Sequence, residues 1–112
     1  MKRGDIYYAD LSPTLGSEMG KRRPVLVVSN NISNRVATTV TILPLTSNVN
    51  RVYPFEVLLN PEVSGLTKPS KVQAQQVRTI SKERIMGEVV GSLDEEMMVL
   101  IDAALMLHLG LT

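Results

Sequence analysis

The stretch Gly16-Ser17-Glu18-Met19-Gly20-Lys21-Arg22-Arg23-Pro24 carries three consecutive cations from a glycine-bracketed polar loop onto the apolar run Val25-Leu26-Val27-Val28. An arginine at a loop-to-strand junction is anchored by the strand yet open to a ligand. Its guanidinium matches a phosphate with two parallel charge-assisted hydrogen bonds. Arg23 is thus a candidate for anion chemistry, and Lys21 and Arg22 suit backbone phosphates; a solvated cationic turn uses the same pattern. A second segment, Ile42-Leu43-Pro44-Leu45-Thr46-Ser47-Asn48, ends a strand in three small polar side chains. The Thr46 and Ser47 hydroxyls can donate to a phosphate oxygen and Asn48 can read a base edge, although turns use the same residues. In Val72-Gln73-Ala74-Gln75-Gln76-Val77-Arg78-Thr79, period-two alternation puts Gln73 and Gln75 on one strand face and Gln76 on the other. These amides suit unstacked bases and equally a solvent-facing sheet, and Arg78 at the strand end suits either role.

Length and composition narrow the setting. A chain of 112 residues, 44% apolar, makes one domain over residues 1–112 with one compact core. Cysteine is absent, which removes disulfides and thiolate metal sites and fits a reducing cytoplasm. Met1-Lys2-Arg3-Gly4-Asp5 runs into a strand-like Ile6-Tyr7-Tyr8-Ala9 without the pattern of a signal peptide, so export is not expected. The densest apolar region, Met97 to Leu111, is broken by Asp102 and His108 and falls short of the roughly 20 residues that span a bilayer. Net charge is only +1, but residues 1–51 carry seven cations against three carboxylates and the remainder five against eight. That asymmetry suggests a face for polyanions.

The elements that must position these residues are mostly short strands. Candidates are Ile6–Ala9, Val25–Ser29, Val40–Leu45, Phe55–Leu59, Ser70–Gln75 and Gly87–Val90, separated by Gly- and Pro-rich turns. Such a pattern points to a small barrel or sandwich. Ser92-Leu93-Asp94-Glu95 reads as a capping box opening a helix that runs to about Leu109. That helix is apolar at nearly every position, so one buried face cannot account for it and a second copy of the chain is expected to cover the rest. His108, the only histidine, sits near the helix end and is given no chemistry.

Taken in order, Lys2-Arg3-Gly4-Asp5-Ile6-Tyr7, Pro13 with Gly16-Ser17-Glu18, Arg23-Pro24-Val25, Leu43-Pro44-Leu45-Thr46-Ser47 and Gln75-Gln76-Val77-Arg78-Thr79-Ile80 resemble the MazF/PemK family of toxin endoribonucleases. Each motif alone is weak; their order and spacing together are specific, and they span essentially the whole chain. The resemblance implies a mainly β fold with helices, an SH3-like barrel of the CcdB/MazF type with a C-terminal α-helix. It also implies a homodimer, a cognate MazE-like antitoxin as partner, and ribosome-independent, sequence-specific cleavage of single-stranded mRNA in a type II toxin–antitoxin system.

Carried over by position, the family's catalytic arginine falls on Arg23 and its catalytic threonine on Thr46. The PemK/Kid branch relies instead on an arginine and an aspartate in the strand that here reads Gln73-Ala74-Gln75, so the Arg/Thr scheme is expected. The implied step is attack of a ribose 2′-hydroxyl on the adjacent phosphate, leaving a 2′,3′-cyclic phosphate and a 5′-hydroxyl, without metal or cofactor. Glu18 is the candidate base. Ser17, Lys21, Arg22, Ser47, Asn48, Gln75, Gln76 and Arg78 are the candidate RNA contacts, and base preference is assigned to the loops around Met19 and residues 49–54. Two rivals differ in class. A gyrase poison of the CcdB type acts through a tryptophan, which this chain lacks, and a non-enzymatic SH3-like module needs an aromatic groove that 4% aromatic residues scarcely supply.

Overall fold

Val25, Leu26 and Val27 are completely buried, because their strand is covered on both faces. The structure, a computed structural model, describes residues 1–18 and 20–111. Met19, one expected determinant of base preference, lies outside the described residues, as does Thr112. Strand β2 (Arg22–Val27) runs antiparallel between β1 (Asp5–Asp10) and β3 (Thr39–Thr46). Around this trio the chain adds α1 (Asn31–Val36), β4 (Glu56–Leu59), α2 (Pro61–Ser64), β5 (Ser70–Gln73), β6 (Arg78–Ser81), β7 (Ile85–Ser92) and α3 (Glu95–Leu109). Strand order is β4-β5-β3-β2-β1-β7, with β6 on the first half of β3 and β5 on its last two residues.

Alternate residues of the central strands feed two cores. Ile6, Leu26, Leu43, Leu45, Leu59 and Val72 pack with Met98, Ile101 and Ala104 of α3, so the sheet curls until β1 and β4 share one interior. Ala9, Leu11, Val25, Val27, Val40, Ile42 and Ile80 fill the other side. Each large side chain so buried contributes about 1.5–3 kcal/mol. The architecture is the expected mainly β small barrel with a C-terminal α-helix. Helix α3 buries only Met98, Ile101 and Ala104, leaving Val99, Leu100, Met106, Leu107 and Leu109 exposed. At 15 residues it is too short for a membrane span, and no described helix is long and apolar enough to be one.

Several local expectations change. The cap of α3 is Asp94, whose carboxylate accepts from the Met97 amide at 2.9 Å. Ser92 instead ends β7 and donates its hydroxyl to Asp5 at 2.5 Å, because β7 pairs with β1 as far as that residue. Helix α1, six residues long, shows too few turns for periodicity to reveal; its signal was Asn30, which accepts from the Ser33 amide at 2.8 Å. Helix α2 arises inside the expected turn from Pro61 at its start and left-handed Gly65 at its end. Strand β5 stops at Gln73, and residues 74–76 form a tight 3-10 turn that buries Ala74, so Gln73 and Gln75 do not alternate along one strand. Strand β6 was not expected; it exists because β3 offers it a partner.

Gly65 and Gly91 let α2 dock on β7 backbone to backbone. A Cβ on Gly91 would lie 2.1 Å from the Ser64 carbonyl oxygen, and one on Gly65 2.4 Å from that of Val90. Neither contact can yield by rotating a side chain. Gly91→Ala should therefore destabilise the fold by about 1–3 kcal/mol, the usual cost of overpacking, read as a lower urea midpoint. An unchanged midpoint would show that α2 lifts from β7 freely.

Candidate active site

The register of β2 against β3 runs through Val27↔Ile42, Leu26↔Leu43 and Val25↔Pro44. Carried two residues further, beyond the last paired position, it brings Arg23 level with Thr46. Both residues line a cleft of about 320 Å³ whose walls are the start of β2, the end of β3 and the segment from Leu66 to Ser70. Arg22 and Lys68 join Arg23 there, and no carboxylate is among the lining residues. The Lys21-Arg22-Arg23 signal thus opens onto a cationic cleft, which attracts polyanions.

Arg23 is half-buried, and its Nε donates to the Gly20 carbonyl at 3.0 Å. That bond fixes the guanidinium's base. Among the described residues Arg23 makes no ion pair. Arg22 lies over the Tyr8 ring, 4.7 Å from its centroid, which holds an exposed cation beside the cleft. The Thr46 oxygen accepts from the Asn48 amide at 3.2 Å. A hydroxyl so engaged as acceptor keeps its proton available for a ligand oxygen.

The remaining candidates divide. Ser47 lines the cleft, and Asn48 stands beside it on the turn. Lys21 adopts φ 63° at the loop end, its amide donating to the Ser12 hydroxyl at 2.8 Å. Ser17 is exposed on the same loop. Glu18 is not brought to the cleft: its carboxylate accepts from the Leu15 amide at 3.2 Å, closing a local turn. Arg78 donates to the Leu11 carbonyl at 3.1 Å and so braces the loop's base. Gln75 turns inward to Glu56, at 2.7 Å, and Gln76 is half-buried beside it. Neither lines the cleft. Tyr8, Thr67, Lys68 and Ser70 are the cleft residues that sequence reasoning passed over. Their only local signal was the polar Thr67-Lys68 step in a Pro-rich turn, and it takes α2 docked on β7 to deliver it. Among the described residues no three carboxylate, imidazole or thiol groups converge as a metal would need.

Residues 2–109 match the family described as PemK-like, MazF-like toxin of type II toxin–antitoxin system. The chain belongs to this family. It is 42% identical to endoribonuclease MazF9 of Mycobacterium tuberculosis, over 99% of this chain and 98% of that one. It is 40% identical to endoribonuclease EndoA of Bacillus subtilis, over 99% and 96%. Among solved structures, a mycobacterial endoribonuclease in complex with its cognate antitoxin superposes with a TM-score of 0.81 at 31% identity, covering 100% of this chain and 97% of that chain.

In this toxin a buried carboxylate lies one strand away from the cleft. Glu56 Oε1 accepts from Lys71 Nζ and from the Tyr53 amide, each at 3.0 Å, and Oε2 accepts from Gln75 at 2.7 Å and Gln73 at 3.4 Å. Burial pushes the Glu56 carboxyl upward, yet the Tyr53 amide, the Gln75 amide and the Lys71 ammonium together outweigh it and hold it below the ordinary 4.5. A carboxyl depressed on folding contributes stability that is present above its unfolded pKa and lost as pH falls through the folded one. Wild type should therefore be more stable than Glu56→Gln at neutral pH, with the gap closing below about pH 4.5. Denaturant titrations of both proteins across that range check it; a gap that widened on acidification would reverse the assignment.

Proposed function

We propose that this MazF-type toxin endoribonuclease cuts single-stranded RNA in the cleft between Arg23 and Thr46 by internal transesterification. The 2′-oxygen of one ribose forms a bond to the adjacent phosphorus, the bond from phosphorus to the 5′-oxygen breaks, the 2′ proton leaves to solvent, and the 5′-oxygen takes one up. The products carry a 2′,3′-cyclic phosphate and a 5′-hydroxyl. No water is consumed. The observation that carries this reading is the convergence, in one cleft, of a guanidinium and a hydroxyl with an available proton, with neither an ion pair to that guanidinium nor a lining carboxylate among the described residues.

Charge grows on the non-bridging oxygens as the phosphorane forms. Arg23 neutralises it and Thr46 donates to one of those oxygens, both held before the substrate arrives, and such preorganised donors lower barriers more than flexible ones. Arg22, Lys68 and Lys21 hold the flanking phosphates, while Ser17, Ser47 and Asn48 border the strand's path. With Glu18 engaged on Leu15, this reading gives it no proton to move. Gln75, Gln76 and Arg78 act in it through the fold around the cleft. The substrate places the enzyme in the cytoplasm. The exposed Val99, Leu100, Met106 and Leu107 of α3 are covered by a second copy of the chain, making a homodimer. A MazE-like antitoxin with acidic segments meets the cationic cleft, in keeping with the antitoxin complex of the mycobacterial relative.

With excess chelator present, wild type should still cut a defined RNA to cyclic phosphate ends, and Arg23→Ala should lose about 10²-fold or more in kcat, as for removal of one preorganised donor, with its circular dichroism unchanged. Wild-type rates in a folded Arg23→Ala protein would remove Arg23 from the mechanism. In sedimentation at micromolar concentration the toxin should run as a dimer, and Leu100→Lys should shift it toward monomer. A wild-type monomer would refute the shared helix face.

A further inference from the structure

Thr46 has a neighbouring strand on each side. On one edge of β3 it stands level with Arg23; on the other its registered partner in β5 is Lys71, and directly opposed cross-strand side chains lie within contact range. Lys71 is nevertheless 8% exposed and not part of the cleft lining. Its ammonium donates instead to Glu56 at 3.0 Å and to the Arg51 carbonyl at 2.6 Å. Glu56, buried as well, grips the same stretch of chain: it accepts from the Tyr53 amide at 3.0 Å, and its own amide donates to the Tyr53 carbonyl at 2.9 Å. Tyr53 is stacked on Phe55, with ring planes 3° apart, and the Arg51 guanidinium lies over the Tyr53 ring, 4.7 Å from its centroid.

From that anchor a chain of bonds leads back to the cleft. The Asn50 amide donates to the Asn48 side chain at 3.4 Å, and the Asn48 amide to Thr46 Oγ1 at 3.2 Å. The connection between β3 and β4 has no regular structure of its own, so these bonds and the anchor at 51–53 are what define its path. A buried ion pair is weak grounds for stability, since apolar residues of similar volume often do as well. What this pair adds is geometry: Lys71 reaches a backbone carbonyl that an apolar side chain could not hold.

We propose that the buried Glu56–Lys71 pair is a positioning device for the reaction, clamping residues 51–53 and thereby setting the place of Thr46, Ser47 and Asn48 in the cleft. The inference rests on the reading that Thr46 contacts the scissile phosphate. Misplacement by about an ångström is enough to cost on the order of 10²-fold in rate.

The test measures kcat and KM on one defined RNA for Lys71→Met, Lys71→Arg, Thr46→Ala and the double variant Thr46→Ala/Lys71→Met. Lys71→Met should lower kcat by about 10²-fold with KM little changed, and Lys71→Arg, which keeps donors for both Glu56 and the carbonyl, should recover most of it. The double variant should be no slower than Thr46→Ala alone, because residues acting as one unit are not additive. Additive losses, or an unchanged kcat in Lys71→Met, would overturn the clamp while the Thr46→Ala loss kept the cleft assignment standing. Wild-type rates in Thr46→Ala would overturn the cleft assignment itself. Should Lys71→Met not fold, amide hydrogen exchange in Glu56→Gln serves: faster exchange across residues 47–53 together with lower kcat supports the clamp, and unchanged exchange or unchanged kcat sinks it.

Discussion

The register of β2 against β3 is the constraint on which the site depends. Arg23 and Thr46 become neighbours only if Val25 faces Pro44, and in a sheet a slip of one residue turns each side chain to the opposite face. The register is pinned from both ends of the buried run. Moving β2 two residues one way drags Arg23 into the buried position of Val25, and moving it one residue the other way draws Ser29 into that of Val28. An unpaired guanidinium in an apolar interior costs far more than the one or two apolar contacts exchanged for it. The polar residues that do the chemistry are therefore also the boundary markers that place the strand.

A similar logic sorts the cations. Those on the loop and cleft, Arg22, Arg23 and Lys68, have no carboxylate among the lining residues and remain for a ligand. Others are consumed by the fold: Arg78 holds the Leu11 carbonyl, Arg84 the Asp10 carbonyl at 3.0 Å, and Lys71 the Arg51 carbonyl. A long side chain bonded to a main-chain oxygen stiffens a loop without neutralising its surroundings. The β1–β2 and β3–β4 connections, which flank the cleft, are both braced in this way. Preorganised charge at a phosphate is the main contribution expected of such a site, and it requires that the loops bearing it stay put.

Two glycines connect packing to chemistry at a distance. Gly65 and Gly91 permit main-chain contact between α2 and β7, and that contact sets the course of the chain through Leu66, Thr67 and Lys68 to β5. The third cation of the cleft arrives by this route from the acidic half of the sequence. Summing charge over the first 51 residues located the basic loop but not Lys68, because electrostatic neighbourhoods are defined by folding and not by order along the chain.

Much of this was legible in the residues themselves. The strand at Val25, the strand ending at Thr46, the long apolar helix from the nineties and the loop cations all follow from local pattern, since burial periodicity, turn chemistry and capping act over a few residues. Motif order likewise sufficed to point to the toxin family. Tertiary structure decided the rest. Glu18 and Gln75 carry side chains able to serve RNA, yet each meets a partner in its own fold: the Leu15 amide donates to the Glu18 carboxylate, and the Gln75 amide donates to the Glu56 carboxylate. The helix cap moved from Ser92 to Asp94 because β7 claimed Ser92 for its pairing with β1. Strand β6, the turn at 74–76 and the Glu56–Lys71 clamp are products of long-range pairing across β3, β4 and β5. Residue type states what a side chain is able to bind; only the folded chain, by bringing together groups that are distant in sequence, determines which partner it meets.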